Sequence, residues 1–175
     1  MDYISPFAFT FLRTFIGGLF LIPVIFILKS IKIKNKPLLR PSKPRKFIIG
    51  SIACGICLIV AESFQQFGLV YTDVNKASFV TALYIIFVPF LALACGYKLQ
   101  LKIILALIVS VIGLYLLCMK GSFILQLGDF LVLIGALCFA FHIMVISHYV
   151  NYVDGVLLSC GQFFVASFLG LIMML

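Results

Sequence analysis

Residues 47–70 read FIIGSIACGICLIVAESFQQFGLV. A helix needs about 20 apolar residues to cross a hydrocarbon core of about 30 Å, and this run is long enough. It contains no Lys, Arg or Pro, yet Glu62, Gln65 and Gln66 interrupt it near its end. A charge at bilayer depth costs about 2.5–3.5 kcal/mol even on the lenient insertion scale. On a helix, Ser51, Gly55, Leu58, Glu62, Gln65, Gln66 and Leu69 fall on one face. The sequence therefore predicts a membrane-spanning helix whose polar face looks into protein or a water-filled cavity, with small residues that let another backbone approach.

The rest of the chain has the same character. Of 175 residues, 65% are hydrophobic and 10% charged, and the mean hydropathy is +1.29. A soluble domain could not clothe its surface with so few charges. Six apolar spans are expected: Phe7–Leu28, Phe47–Val70, Ala77–Cys95, Leu101–Cys118, Phe130–Val150 and Val156–Leu175. The runs are too long and too uniformly apolar for barrel strands. The fold class expected is all-α, a multi-pass transmembrane bundle of about six helices.

The formal net charge is +8, but its placement argues against a nucleic-acid partner. Eight of the 13 Lys and Arg lie between Lys29 and Lys46, in KSIKIKNKPLLRPSKPRK, without interleaved aromatic residues. A basic loop between apolar spans marks the cytoplasmic side and suits anionic lipid head groups. The loops around Lys76 and Lys120 then lie outside, and the loop at Lys98 inside. The first span is not a signal peptide, since an Asp and no basic residue precede it. A chain that starts outside without a signal, and ends within an apolar run, is expected to be a fragment.

The remaining polar residues each carry two readings. Glu62 either pairs with a neighbouring helix or lines a substrate path. Arg13 snorkels to the interface, pairs with Glu62 or meets an anionic substrate. His142 either satisfies a hydrogen bond to another helix or has a role at mid-membrane. Ser78 and Thr81 are packing hydroxyls or cavity lining. Pro23 and Pro89 each remove a backbone donor and free the carbonyls of Leu19 and Ile85. Asp129 is expected to cap the fifth span. Cys54 and Cys57 form a C-x-x-C without a second pair or a nearby His, so they read as small apolar residues, and no metal or cofactor is expected. No phosphate-cradling loop, H-E-x-x-H or G-x-S-x-G is present. An intramembrane enzyme is the weaker alternative.

Segment Val153–Gly170, VDGVLLSCGQFFVASFLG, aligns with Ile4–Leu21, ISPFAFTFLRTFIGGLFL, setting Ser159 on Thr10, Gln162 on Arg13 and Phe164 on Phe15. The two spans run in opposite directions, as inverted-topology repeats do.

Four stretches, YISPFAFTFLRTFIGGLFLIPV (3–24), FGLVYTDVNKASFVTALYIIFVPFLA (67–92), LIVSVIGLYLL (107–117) and GDFLVLIGALCFAFHIMVISHYV (128–150), resemble EamA-type members of the drug/metabolite transporter superfamily. One departure is CGYKLQ, which has Tyr97 where the family often carries a Glu. The resemblance implies a ten-helix fold of two inverted five-helix repeats. Residues 1–120 would be most of the first (its helices 2–5), and 128–175 the start of the second (helices 6–7). It implies a multi-pass protein of the cytoplasmic membrane, weakly bacterial by composition, that moves a small metabolite or drug by alternating access and performs no chemistry. The cavity-lining candidates carried over are Arg13, Glu62, Gln65, Gln66, Thr81, His142 and Gln162. The alternative is a fragment that is inactive or depends on a partner. A homo-oligomer, or helices from a longer chain, would complete it.

Overall fold

The computed structural model describes residues 5–33, 36–37, 43–97, 100–118 and 126–174. Its helices are α1 (Pro6–Ser30), α2 (Pro44–Val70), α3 (Val74–Ala82), α4 (Tyr84–Ala94), α5 (Leu101–Cys118), α6 (Leu127–Tyr149) and α7 (Gly155–Met174). Counting α3 and α4 as one span, five are long and apolar enough to cross a membrane, and α5 is a shorter apolar helix. The protein is thus a multi-pass helical bundle, as its composition requires. Within the basic loop a two-residue antiparallel ladder pairs β1 (Lys32–Ile33) with β2 (Lys36–Pro37), a feature without any signal in the apolar pattern. The side chains of residues 32–42, and Lys98, Lys120 and the expected repeat boundary at 120–125, lie outside the described residues.

Local sequence sets the helix ends. Ser5 Oγ accepts the Ala8 N–H at 3.2 Å, and Pro6 occupies the first helical position, where its missing donor costs nothing. Asp154 does the same for α7, with Oδ1 accepting the Val156 N–H at 2.9 Å. Asp129 is not an N-cap, because α6 begins two residues earlier, at Leu127. It is the third helical residue, and its Oδ2 reaches back to accept the Gln126 N–H at 2.9 Å, the reciprocal half of a capping box.

Pro23 lies inside α1 and Pro89 inside α4, and neither ends its helix. The interruption of the third span falls instead at Leu83, where tight three-residue bonds replace the α-pattern: Leu83 N–H to Val80 O (3.2 Å) and Ile86 N–H to Leu83 O (2.8 Å).

Two compact units are present. The first comprises residues 1–59 and 145–175, the second residues 60–144, so the division falls within α2 and within α6. In the first unit α1 and α7 lie antiparallel: Gly170 sits against Phe11 and Gly18 against Phe163 and Phe164. Phe15 meets Phe164 edge-on at 6.4 Å. α2 joins α7 through small residues. A Cβ on Gly55 would lie 2.6 Å from Val165 Cγ1, and one on Gly161 would collide with Ser51. Cys54, Val153 and Leu158 form the local core with Phe47, Ile146 and Tyr149 around them, so the first Cys of the C-x-x-C is packing material.

In the second unit α2 and α6 also approach closely, here backbone to backbone. A Cβ on Gly128 would come 2.6 Å from the Tyr71 carbonyl carbon and 2.8 Å from Thr72 N, and one on Gly135 3.2 Å from Ala61 O. Ala77, Val80 and Val132 are buried with Leu69, Phe79 and Leu133 against them. Large apolar side chains point outward instead. Along α5, Leu101 (70% exposed), Val109 (70%) and Leu116 (71%) face the surroundings. Exposure of this kind suits lipid and not water.

Gly128→Ala is expected to destabilise the protein by about 1–3 kcal/mol, because rigid backbone surrounds the new methyl. Gly113→Ala, with nothing within 4 Å of the new carbon, is expected to leave stability unchanged or slightly raised. Thermal midpoints in detergent for the two variants check the contrast.

Candidate functional site

The polar face foreseen on α2 is turned inward. Ser51 (4% exposed) belongs to the first unit, and Glu62 (5%) and Gln66 (2%) to the second, while Ile52, Ile56 and Val60 on the other side of the helix are exposed. α2 therefore separates a lipid-like surface from a protein-facing one, as the cost of bare polar groups in hydrocarbon demands.

In the second unit, Gln65 Nε2 donates to Thr81 Oγ1 at 3.0 Å. This ties α2 to the last turn of α3, just before the break at Leu83, and brings together two of the seven candidates. Glu62 and Gln66 flank Gln65 on the same helix, and both are buried. Among the described residues Gln66 Oε1 accepts no hydrogen bond. Such a buried acceptor loses about 1–3 kcal/mol of solvation that nothing in the fold returns. His142, on α6, is also buried in this unit (6% exposed). Beside it on α6, Phe139 faces Tyr84 at 6.4 Å.

Two candidates lie in the first unit. Gln162 is buried on α7 (4% exposed) with Ser167 (3%) one and a half turns on. Arg13 is on the exposed side of α1, with its guanidinium 5.7 Å from the Phe9 ring centroid. That geometry fits an arginine lying along its own helix toward the interface. The hydroxyls of α1 are handled within the helix. Thr10 donates to Pro6 O at 3.1 Å and Thr14 to Thr10 O at 2.9 Å.

A cluster that the sequence reading did not assemble lies at one end of the second unit. Asp129, 4% exposed, accepts from Thr72 Oγ1 and stands 3.1 Å from Lys76 Nζ. It thereby locks the α2–α3 turn onto the first turn of α6. Glycines 68 and 128 make this approach possible by removing the side chains that would hold the backbones apart. Thr72 in the α2–α3 turn and Lys76 in the first turn of α3 lie 57 and 53 residues from Asp129, too far for any periodicity to pair them. The cluster also places the ends of two loops, both expected outside, together. In the first unit Lys43 N–H reaches Tyr152 O at 3.5 Å, joining the end of the basic loop to the α6–α7 turn.

The fold defines a multi-pass helical membrane protein with a buried polar row. Comparison with known proteins narrows this: the model of the EamA-like transporter family matches residues 1–119. The chain belongs to the EamA-like transporter family. It is also 29% identical over 165 residues to a protein of Archaeoglobus fulgidus described as an uncharacterized transporter. The match covers 94% of this chain and 47% of that relative, so the chain spans about half the relative's length. No solved structure matches.

Asp129→Asn is expected to destabilise the protein by about 3–5 kcal/mol, since it leaves the Lys76 ammonium largely buried without its counter-charge. Replacing both members, as Lys76→Met with Asp129→Asn, is expected to recover most of that loss. Unfolding of the single and double variants in detergent measures the coupling.

Proposed function

We propose that this chain is the part of a drug/metabolite-type transporter that carries a small polar molecule across the cytoplasmic membrane by alternating access. The observation that carries this reading is the polar row on α2, with Glu62 and Gln66 buried and Gln65, half-buried between them, bonded to Thr81. A bilayer-spanning helix keeps such groups only where partners or a passing solute satisfy them. Family membership supports transport as the activity, with no covalent step on the substrate. We read residues 1–120 as most of a first repeat and 128–175 as the start of a second. The antiparallel α1–α7 seam supports this, because it brings Phe15 against Phe164, two residues that the internal alignment had equated. In this reading Glu62, Gln66, Thr81 and His142 of the second unit contribute to substrate passage. The protein is read as resident in the cytoplasmic membrane of a bacterium.

Cells expressing the chain, challenged with a panel of amino acids and small drugs, supply the test. Glu62→Gln and Gln66→Leu are each expected to lower tolerance or export at least about tenfold, the effect of losing roughly 1.4 kcal/mol of substrate interaction, at unchanged protein level in the membrane. Full transport by both variants would overturn the assignment of the site.

A second reading rests on the match to only 47% of the relative's length: activity requires further helices, from a longer chain or a second copy. The native protein extracted from its own membrane distinguishes the two. A mass of 19.5 kDa in a monomeric, transport-competent particle would exclude this reading. A roughly doubled particle mass is its expected outcome.

A further inference from the structure

Arg45, Ile49, Ile52 and Ile56 follow one another at intervals of four, three and four residues on α2, which places them on a single face. That face is open: Arg45 is exposed, and Ile49, Ile52 and Ile56 are 51%, 46% and 47% exposed. Ile52 and Ile56 form one wall of a groove of about 370 Å³ whose other wall is α7, with Phe164, Val165 and Phe168. Every residue lining the groove is apolar. From Arg45 to Ile56 the helix rises about 16 Å, half of a hydrocarbon core of about 30 Å. Arg45 and the groove together therefore span about one leaflet, with the cation about 10 Å of helix rise from Ile52 at the groove's near end.

The charge at that end is held in place and is mainly positive. Lys43 N–H donates to Tyr152 O at 3.5 Å, and the Lys46 ammonium lies 5.1 Å above the Tyr152 ring. This pins the start of α2 to the α6–α7 turn. Arg45 makes no ion pair among the described residues, and Asp154, the acidic residue of the α6–α7 turn, accepts the Val156 N–H at the start of α7. We infer that this face binds an anionic phospholipid, its phosphate at Arg45 with Lys43 and Lys46 beside it, and one acyl chain along Ile52, Ile56 and Phe168. A guanidinium offers phosphate a paired set of donors, and the wholly apolar groove suits a methylene chain and no polar ligand. This inference does not depend on the transport reading.

The chain contains no Trp, so Phe168→Trp installs a single emitter in the groove at a residue that is 64% exposed. The full chain carrying F168W is reconstituted in phosphatidylcholine vesicles. Phosphatidylglycerol or phosphatidylcholine with brominated acyl chains is then added in steps. Brominated phosphatidylglycerol is expected to half-quench the emission at about a fivefold lower mole fraction than brominated phosphatidylcholine, from about one basic contact near the surface. In F168W with Arg45→Gln that preference is expected to vanish, while F168W with Lys102→Gln, the same charge change on α5, keeps it. Equal quenching by the two lipids in F168W alone would mean an unselective lipid shell and overturn the site. A preference that survives Arg45→Gln, or that Lys102→Gln abolishes equally, would overturn it as well.

Discussion

The constraint on which this structure depends is that a bilayer supplies no hydrogen bonds. Each polar group in a spanning helix must be satisfied inside the protein or give up solvation worth several kcal/mol. α2 responds to that constraint along its whole length. Ile48, Ile49, Ile52 and Ile56 face outward, and Ser51, Glu62 and Gln66 face inward. Glycines 50, 55 and 68 allow neighbouring helices to come close enough to cover that inward face. Where coverage is local, hydroxyls fall back on their own helix, as in Thr10, Thr14, Ser78 and Ser110.

The same constraint makes the ends of the helices informative. At one end of the second unit a carboxylate serves three donors at once: the Thr72 hydroxyl, the Gln126 N–H and the Lys76 ammonium. An ion pair so little exposed is stable only when its remaining lone pairs are used, and here they are. It fixes the short α2–α3 turn against α6 with a rigidity that packing of apolar side chains alone would not supply. At the opposite kind of end, in the first unit, the cations of early α2 are left facing outward. On the lipid-site proposal, an interface rich in phosphate would supply their counter-charge there.

Between these ends, the break at Leu83 and the Gln65–Thr81 bond lie in adjacent turns. A helix interrupted next to a buried polar row has backbone groups and side chains that can exchange partners without unfolding the span. The fold thus concentrates its adaptable backbone and its most costly side chains in one region of the second unit, and a solute path would need both.

Much of this was legible without coordinates. The membrane class, the number of apolar spans and the inward polar face of α2 follow from length, hydropathy and a 100° step per residue, because lipid punishes any other arrangement. Family likeness was legible in the order and spacing of the motifs. Other features belonged to the tertiary structure alone. Thr72 and Asp129 are brought together by chain reversal over 57 residues, and no local period encodes such a pairing. The break in the third span fell at Leu83 and not at Pro89, since a proline can be absorbed within a helix while a tight turn answers to its packing. Arg13, Glu62 and His142 looked alike in the sequence, each a lone charge or imidazole in an apolar run. Only the fold separates them: the first is exposed on its helix, and the others are buried, because which face of a helix meets a neighbour is decided by the neighbour.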